Sequence, residues 1–130
     1  MKVSTADSDG IPVLKLEGDF DSFEPDAVRR GFKEVLSPQT PSVVVDLADM
    51  TFANSTTIAS FISAQRDAKA VGGRIVLAGP REFIRKTLVT LGLHNVFNIT
   101  DTVDEALADR GAGPGLGPVV SALSRRTGRR

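Results

Sequence analysis

The sequence has no cysteine, no tryptophan and no tyrosine, and a single histidine, His94. Without thiols there is neither a disulfide framework nor a thiolate metal site. One imidazole excludes a histidine-rich metal cluster and most base-assisted nucleophiles. The shortage of aromatic rings weakens any reading built on stacking nucleic-acid bases. No apolar run approaches the roughly 18 residues of a membrane helix. The opening MKVSTADSDG lacks the apolar stretch of a secretory signal. These absences predict a cytoplasmic protein with no metal, no cofactor and no transmembrane segment.

What remains is an ordinary globular composition, 41% hydrophobic and 25% charged, over 130 residues. That length suits one domain with its own core. Formal charge is zero, but it is unevenly placed. All 16 acids lie between Asp7 and Asp109 and outnumber the 11 Lys and Arg of residues 1–109, leaving that body at −5. Arg110, Arg125, Arg126, Arg129 and Arg130 put the remainder at +5. An acidic body argues against direct nucleic-acid binding. Residues 110–130, rich in Gly, Pro, Ser and Arg, read as a flexible basic tail, with a short helical pattern at Val119–Leu123.

Apolar runs and helical periodicities alternate along residues 1–109. Ile11 to Leu16 reads as a strand closed by Gly18. Pro25 suits an early helical position, and Val28, Phe32, Val35 and Leu36 form a stripe behind it. Val43 to Leu47 is the continuous β-branched run of a central strand. A connector through Phe52 leads to a helix with Ile58, Phe61, Ile62, Ala68 and Val71 expected inward and Gly72-Gly73 as its stop. Arg74 to Ala78 is a further strand. Pro80 opens a helix expected to bury Ile84, Leu88 and Leu91, with Gly92 ending it. Val96 to Ile99 is a short strand, and Asp101 is the expected cap of a last helix holding Val103, Ala106 and Leu107. This order predicts an α/β domain whose later strands run largely parallel.

Catalytic motifs do not assemble. GAGPGLG, residues 111–117, follows a helix rather than a strand and contains Pro114, unlike a dinucleotide loop. No nucleoside-triphosphate loop is present. His94 has no second ligand near it in sequence and reads as structural. Asp19 and Asp21 are the nearest approach to an acid pair, and turn residues of this kind are usually solvated. No nucleophile and base converge, so the chain reads as a binding protein rather than an enzyme.

The informative stretch is VVVDLADMTFANSTTIASFISAQRDAKAVGGRIVLAG, residues 43–79. It resembles the STAS domain family, anti-sigma factor antagonist type, in which a strand of the form VVxDLSxVxFxDSSG leads into the helix that meets the partner. EGDFD, residues 17–21, is similar to the family's G-x-L-D turn. LVTLGLHNVFNITDTVDEAL resembles its closing LxxxGLxxxFxIxxxxxEAL. The likeness runs from about Ile11 to Leu107.

The resemblance implies a single STAS-like domain over residues 1–109, a mixed β-sheet packed against about four α-helices. It implies a partner, an anti-sigma factor of the histidine-kinase-like ATPase type, whose capture releases a sigma factor. Asp21, Asn54, Ser55, Thr56 and Thr57 fall where the partner binds. Ser55 occupies the phosphorylated position, with Thr56 beside it. Asn54 stands for the motif's Asp and Thr57 for its Gly. Asn, Ser and Thr are also favoured helix caps for purely local reasons, so Ser55 reads either as a regulated hydroxyl or as part of a cap. The altered motif and basic tail leave a second role open, as a STAS binding subunit of a membrane lipid-transport complex or a sensory scaffold.

Overall fold

A computed structural model describes residues 2–8, 10–20, 25–40 and 42–111. In chain order its elements are β1 (Lys2–Ser8), β2 (Ile11–Phe20), α1 (Pro25–Val35), β3 (Val43–Asp46), β4 (Met50–Ala53), α2 (Ser55–Ala70), β5 (Ile75–Ala78), α3 (Glu82–Thr90), β6 (Asn98–Thr100) and α4 (Val103–Gly111). A 3-10 turn, Leu93–Asn95, precedes β6. The sheet runs β1-β2-β3-β5-β6, with β4 paired to the far end of β2. Among the described strands only the β1–β2 pair is antiparallel; the other pairs are parallel. The mixed sheet with four helices matches the expected fold.

Val43, Val44 and Val45 of β3 and all four residues of β5 are buried, as central strands covered on both sides must be. On one face Leu14, Leu16, Val43, Val45, Ile75 and Leu77 meet Val28 and Phe32 of α1, Ile58, Phe61 and Ala64 of α2, and Ile84 and Leu88 of α3. Phe32 and Phe61 meet edge to face at 6.2 Å, joining α1 to α2. On the other face α4 is the covering helix: Ala106 joins Val44, Val76 and Ala78, flanked by Ile11, Val13, Val103 and Leu107.

Two strands escape the hydrophobic pattern. β1, KVSTADS, has one strongly apolar residue, Val3; it forms by pairing with β2 along its full length. Gly10, at φ 85°, turns the hairpin and donates its N–H to Asp7 Oδ2 at 3.1 Å. β4 is only MTFA and lies within the expected connector. Gly18 does not close β2. At φ 94° it marks a bulge, after which β2 continues to Phe20 and pairs with β4.

Several inward assignments are corrected. Ile62 of α2 and Val71, its C-cap, are exposed, while Thr57, Ser60 and Gln65 are buried in their place. The buried arc follows Ile58, Phe61 and Ala68, and its polar members stay because each has a partner. Ser60 Oγ donates to the Thr56 carbonyl at 3.1 Å. Gln65 accepts from Ile75 N–H and donates to the Val96 carbonyl, both at 2.7 Å. Leu91 follows the last residue of α3 and is 56% exposed. The cap of α4 is Thr102, whose Oγ1 accepts from Glu105 N–H at 3.0 Å; Asp101 instead pairs with Arg85 at 2.9 Å. The expected tail and the pattern at Val119–Leu123 lie outside the described residues, apart from the end of α4.

Candidate functional site

The start of α2 is built from β2 and β4 together. β4 brings the chain to Asn54, whose backbone (φ −90°, ψ 179°) is extended as a helix cap requires. Asn54 Oδ1 accepts the Thr57 N–H at 2.9 Å, and its own N–H reaches the Phe20 carbonyl at 3.3 Å. The Thr57 hydroxyl lies 3.3 Å from that same carbonyl oxygen and 3.1 Å from Asn54 Oδ1. The end of β2 and the first turn of α2 are thus held by one carbonyl and one amide side chain.

The four residues of Asn54–Thr57 therefore do different things. Thr57 is 6% exposed and its hydroxyl faces inward, so it is a structural member of the set. Asn54 is the cap. Ser55 and Thr56 are exposed. Downstream, Ala59, Ile62 and Arg66 extend the exposed side from Ser55 along the helix. Asp21 lies outside the described residues.

Beside this turn is a feature the sequence pattern hides. Phe52 of β4 and Phe83 of α3 stack with ring centroids 6.0 Å apart and planes at 19°, and both are exposed. Phe83 is offset from the inward Ile84–Leu88 register, which marks it as an outward aromatic. Two outward phenyls, each two residues from a helix cap (Asn54 and Arg81), are the kind of apolar anchor that protein interfaces favour.

The turn between β3 and β4 is pinned by charge. Lys15 Nζ is 3.2 Å from Asp49 Oδ2, and Arg81 Nη2 is 3.9 Å from Asp49 Oδ1. Arg81 Nε donates to the Ala48 carbonyl at 3.0 Å, and Gly18 N–H donates to the Asp49 carbonyl at 2.8 Å. The hydrogen bond and charge of Asp49, aided by Glu17, hold the Lys15 ammonium above its ordinary pKa. Asp49 is thus matched by two cations. Asp46, at the end of β3, is spent on a local turn, accepting from Ala48 N–H at 3.0 Å. His94 is exposed in the 3-10 turn. Among the described residues no helix is long and apolar enough to cross a membrane.

The STAS domain model matches residues 2–106. The chain belongs to the STAS domain family.

Its structural neighbours include the Thermotoga maritima protein TM1081, at 18% identity over 84% of this chain and 94% of that one, with a TM-score of 0.77. The anti-sigma factor antagonist SpoIIAA in its unphosphorylated form is 18% identical over 86% and 99% of the two chains, with a TM-score of 0.67. The phosphorylated form from Bacillus gives 0.66 at 19% identity over 83% and 98%. A sulfate transporter family protein of Wolinella succinogenes gives 0.69 at 16% identity over 82% and 89%. At these identities the STAS neighbours share a fold with this chain.

Proposed function

We propose that this STAS domain is an anti-sigma factor antagonist that binds an anti-sigma factor of the kinase-like ATPase type and so releases a sigma factor. In this reading the contact surface is the first turn of α2 with the Phe52–Phe83 pair, and the Ser55 hydroxyl is the phosphorylation position. Asp21, with Asn54, Thr56 and Thr57, completes the proposed set. The carrying observation is the division of labour in the first turn: Asn54 and Thr57 fix it, which leaves the Ser55 hydroxyl exposed and unneeded by the fold.

The chemistry of a switch follows. Phosphorylation would add about −1.5 to −2 charges at one hydroxyl. The free N–H groups and dipole of a helix start tolerate an anion. Inside an interface the same charge must be desolvated without a partner, at a cost of several kcal/mol. That both forms of SpoIIAA align with this chain almost equally well supports a modification harmless to the fold. Thr56 is the second exposed hydroxyl and the alternative acceptor.

The sulfate transporter neighbour favours a second reading, a STAS binding module serving a membrane transport complex without phosphoryl chemistry. Affinity capture from the host with wild type, Ser55→Ala and Ser55→Asp separates the two. Partner switching expects a kinase-like ATPase with wild type and Ser55→Ala, lost with Ser55→Asp, and a phosphate on Ser55 in the cell. Transporter subunits captured equally by all three forms would overturn the switch.

A further inference from the structure

The two edges of the sheet are unlike. β6 is three residues long, a common way to blunt an edge. β1 is seven residues long, contains no proline, and has only Lys2 and Asp7 as charges, near its ends. Its outer side carries a row of backbone donors and acceptors with no strand partner among the described residues.

The helix above this edge has a matching face. Ala27, Arg30, Gly31 and Glu34, at helical spacing on α1, line a shallow groove of about 230 Å³ with Val3, Ser4 and Thr5. The opposite flank of α1 faces α2, so this stripe looks out over the open side of β1. Gly31 lets the helix sit low: a Cβ there would stand 3.0 Å from Leu14 Cδ1 and 3.1 Å from Val3 Cγ1. The stripe has small residues at its centre and one charge of each sign, Arg30 and Glu34, neither in an ion pair among the described residues.

We propose that β1 pairs antiparallel with β1 of a second copy of this chain across a two-fold axis, joining two sheets into one. Such an interface uses the same patch twice, so it must be complementary to itself. The Arg30–Glu34 stripe meets that condition, since a two-fold brings Arg30 of each copy toward Glu34 of the other. The spacing agrees as well. Paired strands lie about 4.8 Å apart, and α1 packs on both β1 and β2, about one strand spacing from the axis. The two α1 helices then lie about 10 Å apart, at the upper end of the usual 8–10 Å for packed helices. Ala27 leaves room for that approach, while Gly31, buried against Leu14 and Val3, lets each helix sit low on its own sheet. The start of α2 is tied to Phe20, at the end of β2 beyond the Ile11–Glu17 stretch that pairs with β1, so each copy keeps its own site.

The test is light scattering on the full chain after size exclusion, from micromolar to near-millimolar concentration. Wild type should show twice the mass of one chain. Arg30→Glu should weaken the dimer at least tenfold, because two acids then face each other; Glu34→Arg should do the same with two bases. The double variant Arg30→Glu/Glu34→Arg should recover it. Both positions are exposed, so circular dichroism should be unchanged throughout. Amide exchange in Lys2–Ser8 should slow as concentration rises. A single-chain mass for wild type at the highest concentration, or a double variant no better than the single ones, overturns the proposal. A single-chain mass would instead leave the edge to an extended segment of another protein.

Discussion

The Thr57 hydroxyl stands 3.3 Å from the carbonyl oxygen of Phe20, a residue thirty-seven positions earlier in the chain. The contact joins the end of β2 to the first turn of α2 at a position where STAS motifs resembling this one carry glycine. A threonine is accommodated because its hydroxyl takes over a link between backbone segments that a glycine could not make. Thr57→Val, which keeps the shape and removes the donor, should cost about 1–2 kcal/mol by urea unfolding. Thr57→Ser, which keeps the hydroxyl, should cost clearly less. Equal losses for the two would show that the methyl group, and not the bond to Phe20, is what matters.

Asn54 tests the cap. Asn54→Ala should destabilise by about 1 kcal/mol, the usual loss for a cap side chain. Asn54→Asp keeps the acceptor for the Thr57 N–H and adds a charge favoured at a helix N-terminus, so stability should hold or rise by about 0.3–1 kcal/mol. Thermal unfolding of the two variants at low ionic strength reads both signs.

Gln65 is 5% exposed and bonds two different segments, Ile75 N–H at the start of β5 and the Val96 carbonyl after the 3-10 turn. Gln65→Leu fills a similar volume but takes the partner from the buried Ile75 N–H and from the part-buried Val96 carbonyl. We expect a loss of about 2–4 kcal/mol, most of it the desolvation penalty of those groups. A neutral result in equilibrium unfolding would mean that water or a local shift satisfies them.

The Lys15–Asp49 pair sets an alkaline limit. The Lys15 pKa is raised in the folded state, so its contribution is complete below the unfolded lysine value of 10.5. It falls away as pH climbs through the higher folded value. The groups are exposed, so the effect is small and screened by salt. Wild type should lose stability between neutral pH and pH values above that range more steeply than Lys15→Met, and high salt should narrow the gap. Parallel pH curves for the two proteins would dismiss the pair as a contributor.

Phe52 and Phe83 provide a separate check on the proposed contact surface. Their stacking should appear in a double-mutant cycle to alanine as a coupling of about 0.5–1.5 kcal/mol. Phe83→Ala alone should leave the fold intact, because the ring is 54% exposed, yet weaken partner capture at least tenfold. Undiminished capture would move the contact surface away from this pair.

Most of residues 11–107 was legible because Val43–Val45 and β5 are apolar runs and because α2 and α3 stop just before Gly72 and Gly92. Gly72 illustrates the point: its positive φ of 87° and the bonds from Gly72 and Gly73 back to Lys69 and Ala68 close α2 where the sequence suggested. β1 and β4 were illegible for the opposite reason. KVSTADS and MTFA draw their order from ladders to β2, which no local pattern encodes. Ile62, Val71 and Leu91 were expected inward because hydrophobicity was read without the polar residues that have buried partners. At the site, the helix start and the exposed Ser55 were legible. The inward role of Thr57 was not, since it depends on a carbonyl supplied by β2. The Phe52–Phe83 pair joins residues from β4 and α3 that only the tertiary fold brings together.

Among the described residues the second face of the sheet has one cover, α4, and α4 is made after every strand it protects. While the chain is being synthesised, Val13, Val44, Val76 and Ala78 have nothing on that side until Val103, Ala106 and Leu107 arrive. A nascent chain that has finished β6 therefore holds a three-helix layer on one side and a bare apolar sheet on the other. Chains stopped short of α4 in that state should be prone to stick to one another and to be favoured by chaperones and proteases, which makes α4 the step that closes this face of a newly made molecule.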